Sequence, residues 1–304
     1  MRSSLVLFVA AGLLCLSSCE KSTEIPGPVW PDEPETPTEV TDKPGDGGNI
    51  VVAHRGGASE AGKAYPDNSM ASLRYAMSLK CYASECDIYW TKDDNVVVAH
   101  ADNDYRINGL RPWEATLAEI RAAGNLANGE TVPDLSMFLD EVMKEGSCTR
   151  LWLDIKNIAG KPDYPIKAVD RACEIIKAKK GQNYIEFICT SNATVMAASY
   201  AFATAAGINI AWMANKPAAD YLQKTYKWAN LSTEFLKQGG GERTVEEFTK
   251  SGIDFSVFNA DDDATMSYYI SYTPSIKAIC TNYPKKLISR MAEQGRSGGP
   301  KAVL

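Results

Sequence analysis

The chain has 304 residues, 45% of them hydrophobic, and a formal net charge of −6. This length allows one large hydrophobic core, since a single α/β barrel normally needs ~250 residues. The acidic balance leaves no basic surface for a polyanion, so we expect no nucleic-acid partner.

Residues 1–18 are typical of a secretory signal peptide. Arg2 supplies a positive charge, and residues 5–14 form an apolar stretch too short to span a bilayer as a stable helix. The segment ends in Leu16-Ser17-Ser18-Cys19, which resembles a bacterial lipobox, where the cysteine becomes the lipidated first residue. The alternative is an ordinary cleaved signal followed by a chance cysteine. Small residues directly before Cys19 favour lipidation, and predict an exported protein anchored to the bacterial cell envelope, in the periplasm or at the outer membrane.

Residues 19–48 are rich in Pro, Thr, Glu and Gly and contain few bulky apolar side chains. Such a composition cannot bury enough surface to offset its ordering entropy, so it predicts a flexible, lipid-anchored tether. We expect the tether to hold one folded domain, residues 49–304, away from a membrane. No later segment of the sequence is long and apolar enough to predict a transmembrane helix.

From residue 49 onward, short apolar runs alternate with helical patterns, which is typical of repeated βα units and a parallel sheet. Eight such runs predict a closed (β/α)8 TIM barrel. The predicted strands are residues 50–54, 82–89, 151–156, 184–190, 208–213, 229–233, 255–259 and 278–281. Residues 92–95 are turn-rich and too short for a helix, so they predict a small hairpin insertion after the second strand that returns His100 toward Glu85.

Two intervening segments carry an apolar stripe with the period of a helix, which predicts packing against the sheet. Asp134 and Pro165 lie where these helices are expected to start. The stripes are Leu135, Phe138, Leu139 and Val142 in one segment, and Ile166, Val169, Cys173 and Ile176 in the other.

The chain has eight cysteines, of which Cys15 would leave with the signal and Cys19 would be lipidated. Export permits disulfides, but several of the others lie in or beside apolar runs, where a free cysteine behaves as a small core residue. We expect most of these to be reduced and structural, and their spacing is not a zinc pattern. They are Cys81, Cys86, Cys148, Cys173, Cys189 and Cys280.

Ionisable side chains gather at the predicted strand ends, where the active site of such a barrel lies. The only two histidines, His54 and His100, each follow Val-Val-Ala. Glu85 and Asp87 are two residues apart, so they point to the same side of an extended strand. Each feature has a simpler explanation, a core histidine or a solvated strand face. Their joint placement at successive strand ends favours one site.

The residue types at these strand ends suit metal-assisted phosphodiester hydrolysis. Glu85, Asp87 and Asp154 can supply the anionic oxygens that Mg²⁺ or Ca²⁺ prefers. Arg55 and Lys156 can balance the charge of a diester phosphate, Arg as a planar fork and Lys as a point charge. Two histidines can then act as general base and general acid.

The same motifs, in this order and spacing, resemble the glycerophosphodiester phosphodiesterase family from about residue 49 to the C-terminus. The resemblance implies a metal site at Glu85, Asp87 and Asp154, and a proton-transfer pair at His54 and His100. The matching motifs are His54-Arg55-Gly56, Pro66-Asp67-Asn68-Ser69, Glu85-Cys86-Asp87, Val96-Val97-Val98-Ala99-His100 and Leu153-Asp154-Ile155-Lys156, with weaker matches at Val132-Pro133-Asp134-Leu135, Asn259 and Thr281-Asn282-Tyr283-Pro284.

The sequence departs from the family pattern at four places. Asp154 stands where the family usually has Glu, and Asp67 replaces the Glu of its Pro-Glu-Asn-Thr motif. Asp67 and Asn68 can still cap a helix that begins near Met70, and they can also support the site by contacting its functional side chains. The family's His-Asp pair is His100-Ala101 here, so Asp102 is not assigned a catalytic role. Ser256 replaces a late tryptophan, which predicts a changed wall around the substrate alcohol.

We therefore expect hydrolysis of a glycerophosphodiester to glycerol phosphate and an alcohol, with one divalent cation, Mg²⁺ or Ca²⁺, as cofactor and a small molecule as the partner. One alternative is a related phospholipase-type barrel that acts on intact lipids and needs an apolar entry rim. Another is a degenerate surface module that binds glycerol phosphate groups without catalysis. An acid/base glycosidase fits less well, because it does not require the His-Arg and Glu-x-Asp motifs. The alcohol headgroup and the oligomeric state do not follow from the sequence.

Overall fold

The computed structural model describes residues 43–45, 48–237 and 244–296. The predicted signal peptide, the lipidation site at Cys19 and most of the predicted tether, residues 19–48, lie outside these residues. The predicted domain from residue 49 onward is described apart from residues 238–243 and 297–304.

Among the described residues, eight parallel strands close into a barrel, and a ninth short strand is added at its outside. The strands are β1 (Val51–Ala53), β2 (Ala83–Trp90), β3 (Val96–Val98), β4 (Arg150–Ile155), β5 (Ile185–Cys189), β6 (Asn209–Trp212), β7 (Trp228–Ser232), β8 (Asp254–Phe258) and β9 (Ala278–Thr281). The pairing runs β1-β9-β8-β7-β6-β5-β4-β2, and β1 pairs with β2 to close the ring. This confirms the predicted (β/α)8 TIM barrel, with small shifts in the strand ends.

The predicted hairpin insertion is also confirmed. β3 runs antiparallel to β2, with Tyr89 opposite Val97. Beyond it, the backbone N–H of Ala99 donates to the carbonyl of Asp87 at 3.1 Å. The turn therefore returns the chain to the strand of Glu85 and Asp87, and His100 follows directly.

Helices and short 3-10 turns connect the strands and cover the barrel. The helices are α1 (Ala58–Ala61), α2 (Met70–Ser78), α3 (Leu117–Ala122), α4 (Leu135–Val142), α5 (Asp163–Lys179), α6 (Ala193–Ala206), α7 (Ala218–Gln223), α8 (Thr233–Lys237), α9 (Val245–Ser251), α10 (Asp263–Ile270) and α11 (Pro284–Glu293). Both predicted stripes, on α4 and α5, pack into the main hydrophobic cluster. The side chain of Asp134 accepts the Met137 N–H at the start of α4, as predicted. α5 begins at Asp163, so Pro165 lies in its first turn.

The expected cap of α2 is wrong. Ser69 caps this helix, because its hydroxyl accepts the Ser72 N–H and the Ser72 hydroxyl accepts the Ser69 N–H. Asn68, at a φ of 57°, directs its side chain to β2 instead. Asn, Asp and Ser have similar N-cap preference, so local sequence did not select among three adjacent candidates.

A buried ion pair lies inside the barrel at the end where the strands begin. Lys277 Nζ donates to Glu186 Oε1 at 2.9 Å, and both side chains are less than a tenth exposed. Glu186 Oε2 accepts the Tyr82 hydroxyl at 3.0 Å and the indole N–H of Trp152 at 2.8 Å. The Lys277 ammonium also lies 4.6 Å from the centre of the Trp228 ring. The floor of the barrel is thus a paired polar network within an aromatic layer.

The end of the predicted tether contacts the barrel domain. The hydroxyl of Tyr184 donates to the carbonyl of Lys43 at 2.6 Å, and the Gly45 N–H donates to the carbonyl of Ser147 at 2.7 Å. In the part of the chain that the structure describes, no helix has the length and apolarity needed to cross a membrane. Cys81, Cys86, Cys148, Cys173, Cys189 and Cys280 are free and buried, as expected of structural thiols.

Candidate active site

A left-handed turn directly after β1 positions His54 and Arg55. Arg55 has a φ of 50°, and Gly56 and Gly57 follow at 82° and 80°. A Cβ at Gly56 would lie 2.5 Å from the Ser72 hydroxyl, so only glycine fits. This turn directs the Arg55 backbone N–H to Glu85 Oε2 at 2.9 Å. The His-Arg-Gly motif is therefore fixed to the second strand by its backbone.

Glu85, Asp87 and Asp154 form one buried acidic cluster. The strand register places Asp87 beside Asp154 on β2 and β4, and Glu85 shares the face of Asp87 because side chains alternate along a strand. One oxygen from each residue lies within 4.8 Å of the others. All three are less than a tenth exposed. The predicted carboxylate set is brought together.

The protonation of the cluster reflects its burial. Burial, together with the charge of Asp87, raises the pKa of Glu85 well above its ordinary value. Burial also raises the pKa of Asp154. Burial opposes ionisation of Asp87 as well, but the ammonium of Lys156 holds its pKa below the ordinary value. Burial therefore opposes full ionisation of the three carboxylates, and a further positive charge beside them would favour it.

The donor set fits a divalent cation. Glu85 Oε1 and Asp154 Oδ1 are buried and have no hydrogen-bond partner among the described residues. Buried polar atoms are rarely left unpaired, and carboxylate oxygens are the ligands that Mg²⁺ and Ca²⁺ prefer. Asp154 lies inside the cluster even though its side chain is one methylene shorter than the family's usual Glu.

Two cations, Arg55 and Lys156, border the acidic cluster. The Lys156 ammonium contacts carboxylate oxygens of both Asp87 and Asp154. Arg55 donates from its guanidinium to Asp67 Oδ2 at 3.0 Å, and its Nε lies 3.5 Å from Asp87 Oδ2. Neither side chain is more than a quarter exposed. Both can turn a positive charge toward a phosphate above the carboxylates.

His54 has a fixed ring orientation. Its Nδ1 lies 2.7 Å from Asn282 Oδ1, and Asn282 Nδ2 donates to Asp261 Oδ2 at 2.7 Å. Because that amide nitrogen serves Asp261, the amide oxygen must accept, and His54 Nδ1 carries the proton. His54 Nε2, 3.8 Å from Glu85 Oε2, is then the free basic nitrogen. Burial lowers the pKa of His54.

His100 is exposed and follows the hairpin strand β3. Burial of part of the ring lowers its pKa, the charges of Arg55 and Lys156 lower it further, and Asp87 opposes them. The Ala99 N–H bonds to the Asp87 carbonyl, so His100 lies one residue beyond this contact with the strand of the acidic cluster. The two histidines lie in different surroundings: His54 is enclosed and lines a cavity at this site, whereas His100 is exposed and is not among the residues that line it.

A cavity of about 440 Å³ opens over this site. His54, Arg55, Glu85, Asp154 and Lys156 line one side of it. Asp87 is completely buried and lies among these residues without lining the cavity. The remaining lining includes apolar and uncharged polar side chains: Ile188, Thr190, Met213, Asn230, Phe258 and Asn259.

Three asparagine and aspartate residues support the site, and two of them were not predicted to do so. Asn68, which the sequence allowed either to cap a helix or to support the site, donates to Asp87 Oδ2 at 2.8 Å and so orients a carboxylate of the cluster. Asn282 was noted only as part of a weak motif after the last strand. Asp261, which holds Asn282, follows β8 and has no motif of its own. The signals in the sequence were the two motifs that contain Asn68 and Asn282, and for Asp261 only its position after a predicted strand.

Comparison with known proteins identifies the family to which the chain belongs. The model of the glycerophosphoryl diester phosphodiesterase family matches residues 54–286. That range contains the predicted histidines, carboxylates and cations, and it confirms the family resemblance. A comparison with curated proteins gave no match.

Several solved structures share the fold. A glycerophosphodiester phosphodiesterase from Parabacteroides distasonis aligns with a TM-score of 0.70 at 20% identity, covering 83% of this chain and 100% of that one. An Oleispira antarctica phosphodiesterase in complex with the product sn-glycerol-3-phosphate aligns at 0.62 and 20% identity, with coverage of 80% and 96%. A Thermotoga maritima glycerophosphodiester phosphodiesterase aligns at 0.59 and 18% identity, with coverage of 80% and 98%. Since the family model spans the chain from His54 to the start of α11, this protein belongs to the glycerophosphoryl diester phosphodiesterase family.

Proposed function

We propose that this enzyme hydrolyses glycerophosphodiesters to glycerol phosphate and an alcohol with one divalent cation, Mg²⁺ or Ca²⁺. The observation that supports it best is the buried cluster of Glu85, Asp87 and Asp154, of which Glu85 and Asp154 line a cavity together with His54. The similar Oleispira antarctica structure holds sn-glycerol-3-phosphate, which is the expected kind of product. A cation held by the three carboxylates would polarise the phosphate and offset its charge.

The protein's own cations position the phosphate in this proposal. Arg55 and Lys156 flank the carboxylates and line the cavity, so a diester phosphate entering it meets both positive charges. Arg55 is anchored by Asp67, and Lys156 by Asp87 and Asp154. These contacts hold the two side chains in place before the substrate arrives, which reduces the cost of ordering them.

We assign proton transfer to the two histidines. His54 Nε2 is the free basic nitrogen beside the acidic cluster, so His54 takes a proton from the attacking water as its oxygen bonds to phosphorus and the phosphorus–oxygen bond to the alcohol breaks. His100 is exposed, and an exposed acid can protonate the alcohol as it departs toward solvent. The reaction then returns both rings to their starting protonation states after proton exchange with water.

A turnover assay of the soluble domain tests the proposed function. Glycerophosphodiesters with different alcohols are supplied with Mg²⁺, with Ca²⁺ or with chelator, and glycerol phosphate is measured. We expect turnover that needs a divalent cation and falls strongly in Glu85→Gln, which removes an anionic oxygen with little change in shape. A glycerol-phosphate-binding module without catalysis would bind the same compounds and release no product.

We also propose export and lipid anchoring through Cys19. The support is the sequence of residues 1–19, with its positive start, apolar stretch and Leu-Ser-Ser-Cys ending. Expressed in a bacterium that processes lipoproteins, the full chain should partition into detergent, and Cys19→Ala should abolish that partitioning. Membrane association that persists in the variant would contradict the anchor.

A further inference from the structure

The active-site cavity has two chemically different sides. Its charged lining residues come from the ends of β1, β2 and β4, where the acidic cluster lies. Among the described residues, β5 to β9 and their following turns contribute only uncharged side chains to the lining. Ile188, Met213 and Phe258 supply apolar surface there, and Asn230 and Asn259 supply amides. This uncharged side suits a neutral group and offers no counter-ion to a charged one.

Asn230 lies in this wall, and the oxygen of its amide accepts a hydrogen bond. The indole N–H of Trp228 donates to the Ser256 hydroxyl at 2.9 Å, and that hydroxyl donates to Asn230 Oδ1 at 2.9 Å. An indole nitrogen can only donate, so the serine hydroxyl keeps its own hydrogen for the asparagine oxygen. The chain of contacts therefore fixes the orientation of the Asn230 amide.

The other end of that amide has no partner. Asn230 is 1% exposed, lines the cavity, and its Nδ2 makes no hydrogen bond within the described residues. Asn259 Oδ1, on the neighbouring strand end, is also buried and without a partner among these residues. A buried donor and a buried acceptor left open in one cavity wall are uncommon in a folded protein. They point to a ligand that both accepts and donates.

We propose that Asn230 and Asn259 form a hydroxyl-binding subsite that recognises the glycerol part of the substrate. A hydroxyl oxygen accepts from Asn230 Nδ2, and a hydroxyl hydrogen is donated to Asn259 Oδ1. The apolar side chains beside them contact the carbon chain. A polar site of this kind discriminates strongly against an analogue without the hydroxyl, because its own groups are then left unpaired. The subsite rests on the proposed function, which supplies the phosphate end of the same molecule.

Two chromogenic diesters with the same leaving group test this subsite. One is glycerol 3-(p-nitrophenyl phosphate), and the other is n-propyl p-nitrophenyl phosphate, which lacks both hydroxyls. We expect the wild-type enzyme to prefer the glycerol ester in kcat/KM. Asn230→Ala and Asn259→Ala should each reduce that preference by about tenfold, the usual scale of one lost hydrogen bond. Asn157→Ala, a matched change on the charged side of the cavity, should leave the preference unchanged.

The possible outcomes distinguish failure of the proposed subsite from failure of the proposed function. Hydrolysis of neither ester by wild type contradicts the proposed function itself. Hydrolysis of both esters with equal kcat/KM overturns only the subsite. Propyl phosphoinositol has its hydroxyls on the leaving alcohol, inositol, and none on the propyl group. If Asn230→Ala lost activity on this diester while keeping the preference for the glycerol ester, the amide would contact the leaving alcohol, and the glycerol assignment would be wrong.

A measurement on wild type needs no folded variant. Glycerol 3-phosphate and n-propyl phosphate are compared as inhibitors of propyl-ester turnover. We expect glycerol 3-phosphate to inhibit about a hundredfold more strongly, because it alone can make both hydrogen bonds, each worth about tenfold. Equal inhibition by the two compounds would overturn the subsite even if Asn230→Ala and Asn259→Ala failed to fold.

Discussion

His54 and Asn282 are separated by almost the whole barrel in sequence, yet His54 Nδ1 lies 2.7 Å from Asn282 Oδ1. The two residues are close because His54 follows β1 and Asn282 follows β9, and these first and last strands pair where the barrel closes. Asp261 holds the amide from the end of β8. One ring orientation of His54 is thus set by two neighbouring strand ends.

Asn282→Asp should lower kcat while changing KM little. The new carboxylate would face Asp261 and could no longer donate to it, so His54 would lose its fixed orientation. The loss should be part of the ~10²–10⁴ that a positioned acid/base group contributes. Steady-state kinetics on a glycerophosphodiester measures it.

The exchange of both side chains is the control. Asn282→Asp combined with Asp261→Asn restores a donor opposite an acceptor, and still leaves an oxygen for His54 Nδ1. We expect this double variant to recover most of kcat. If the single variant matched wild type, or the double variant were no better than the single one, the orienting role would be excluded.

The two histidines should respond differently to the leaving group. His54→Ala and His100→Ala should each lose about 10²–10⁴ in rate on a diester of a poor leaving alcohol. With p-nitrophenolate as leaving group no proton is needed for departure, so His100→Ala should recover and His54→Ala should not. Parallel kcat measurements on both substrates decide this. Rescue of both variants, or of His54→Ala alone, would show that the roles are misassigned.

The barrel was predictable because its strands are buried on both faces. Each strand therefore reads as a short apolar run, and eight such runs alternate with helical patterns. The meeting of Asp87 and Asp154 followed from the same topology, since parallel strands place their C-terminal ends together. These features depend on periodicity and on strand ends, which sequence records directly.

Contacts between side chains on different strands were not predictable in this way. The sequence indicated only that Ser256 replaces an aromatic residue, and it did not predict that the Trp228 indole on the neighbouring strand donates to the Ser256 hydroxyl. The sequence allowed Asn68 either to cap a helix or to support the site, and did not show that its partner would be Asp87. Each outcome depends on which of several similar polar groups is nearest after folding, and sequence spacing does not determine that distance.

Asp154 should be a cation ligand despite its short side chain. Asp154→Ala removes a buried carboxylate from the cluster, so Mg²⁺ or Ca²⁺ affinity and activity should fall together. Asp154→Glu keeps the charge and the family's usual length, and should retain most of both. Calorimetric titration of the metal-free enzyme measures affinity apart from turnover. Asp140→Ala, at an exposed position, should leave affinity unchanged, and unchanged affinity in Asp154→Ala would exclude the ligand role.

Lys277→Met should lower the free energy of unfolding and reverse the way in which the contribution of Glu186 to that energy changes with pH. Removing one partner of a buried pair typically costs about 3–5 kcal/mol. In wild type, burial opposes ionisation of Glu186, but Lys277 holds its pKa below the ordinary 4.5, so this group's contribution is present above that pH and lost on acidification. Without Lys277, burial raises the pKa of Glu186, so the folded state retains its proton longer than the unfolded state.

The stability of Lys277→Met should therefore decline, relative to wild type, as the pH rises above about 4.5. Urea unfolding of both proteins between pH 4 and pH 7 measures the difference at each pH. Adding Glu186→Gln removes the titrating group, and the double variant should lose the pH-dependent part of the deficit. A deficit that stayed constant with pH in the single variant would mean that Glu186 remains ionised without Lys277, stabilised by its other partners, among them the Tyr82 hydroxyl, the Trp152 indole and the charge of Arg150.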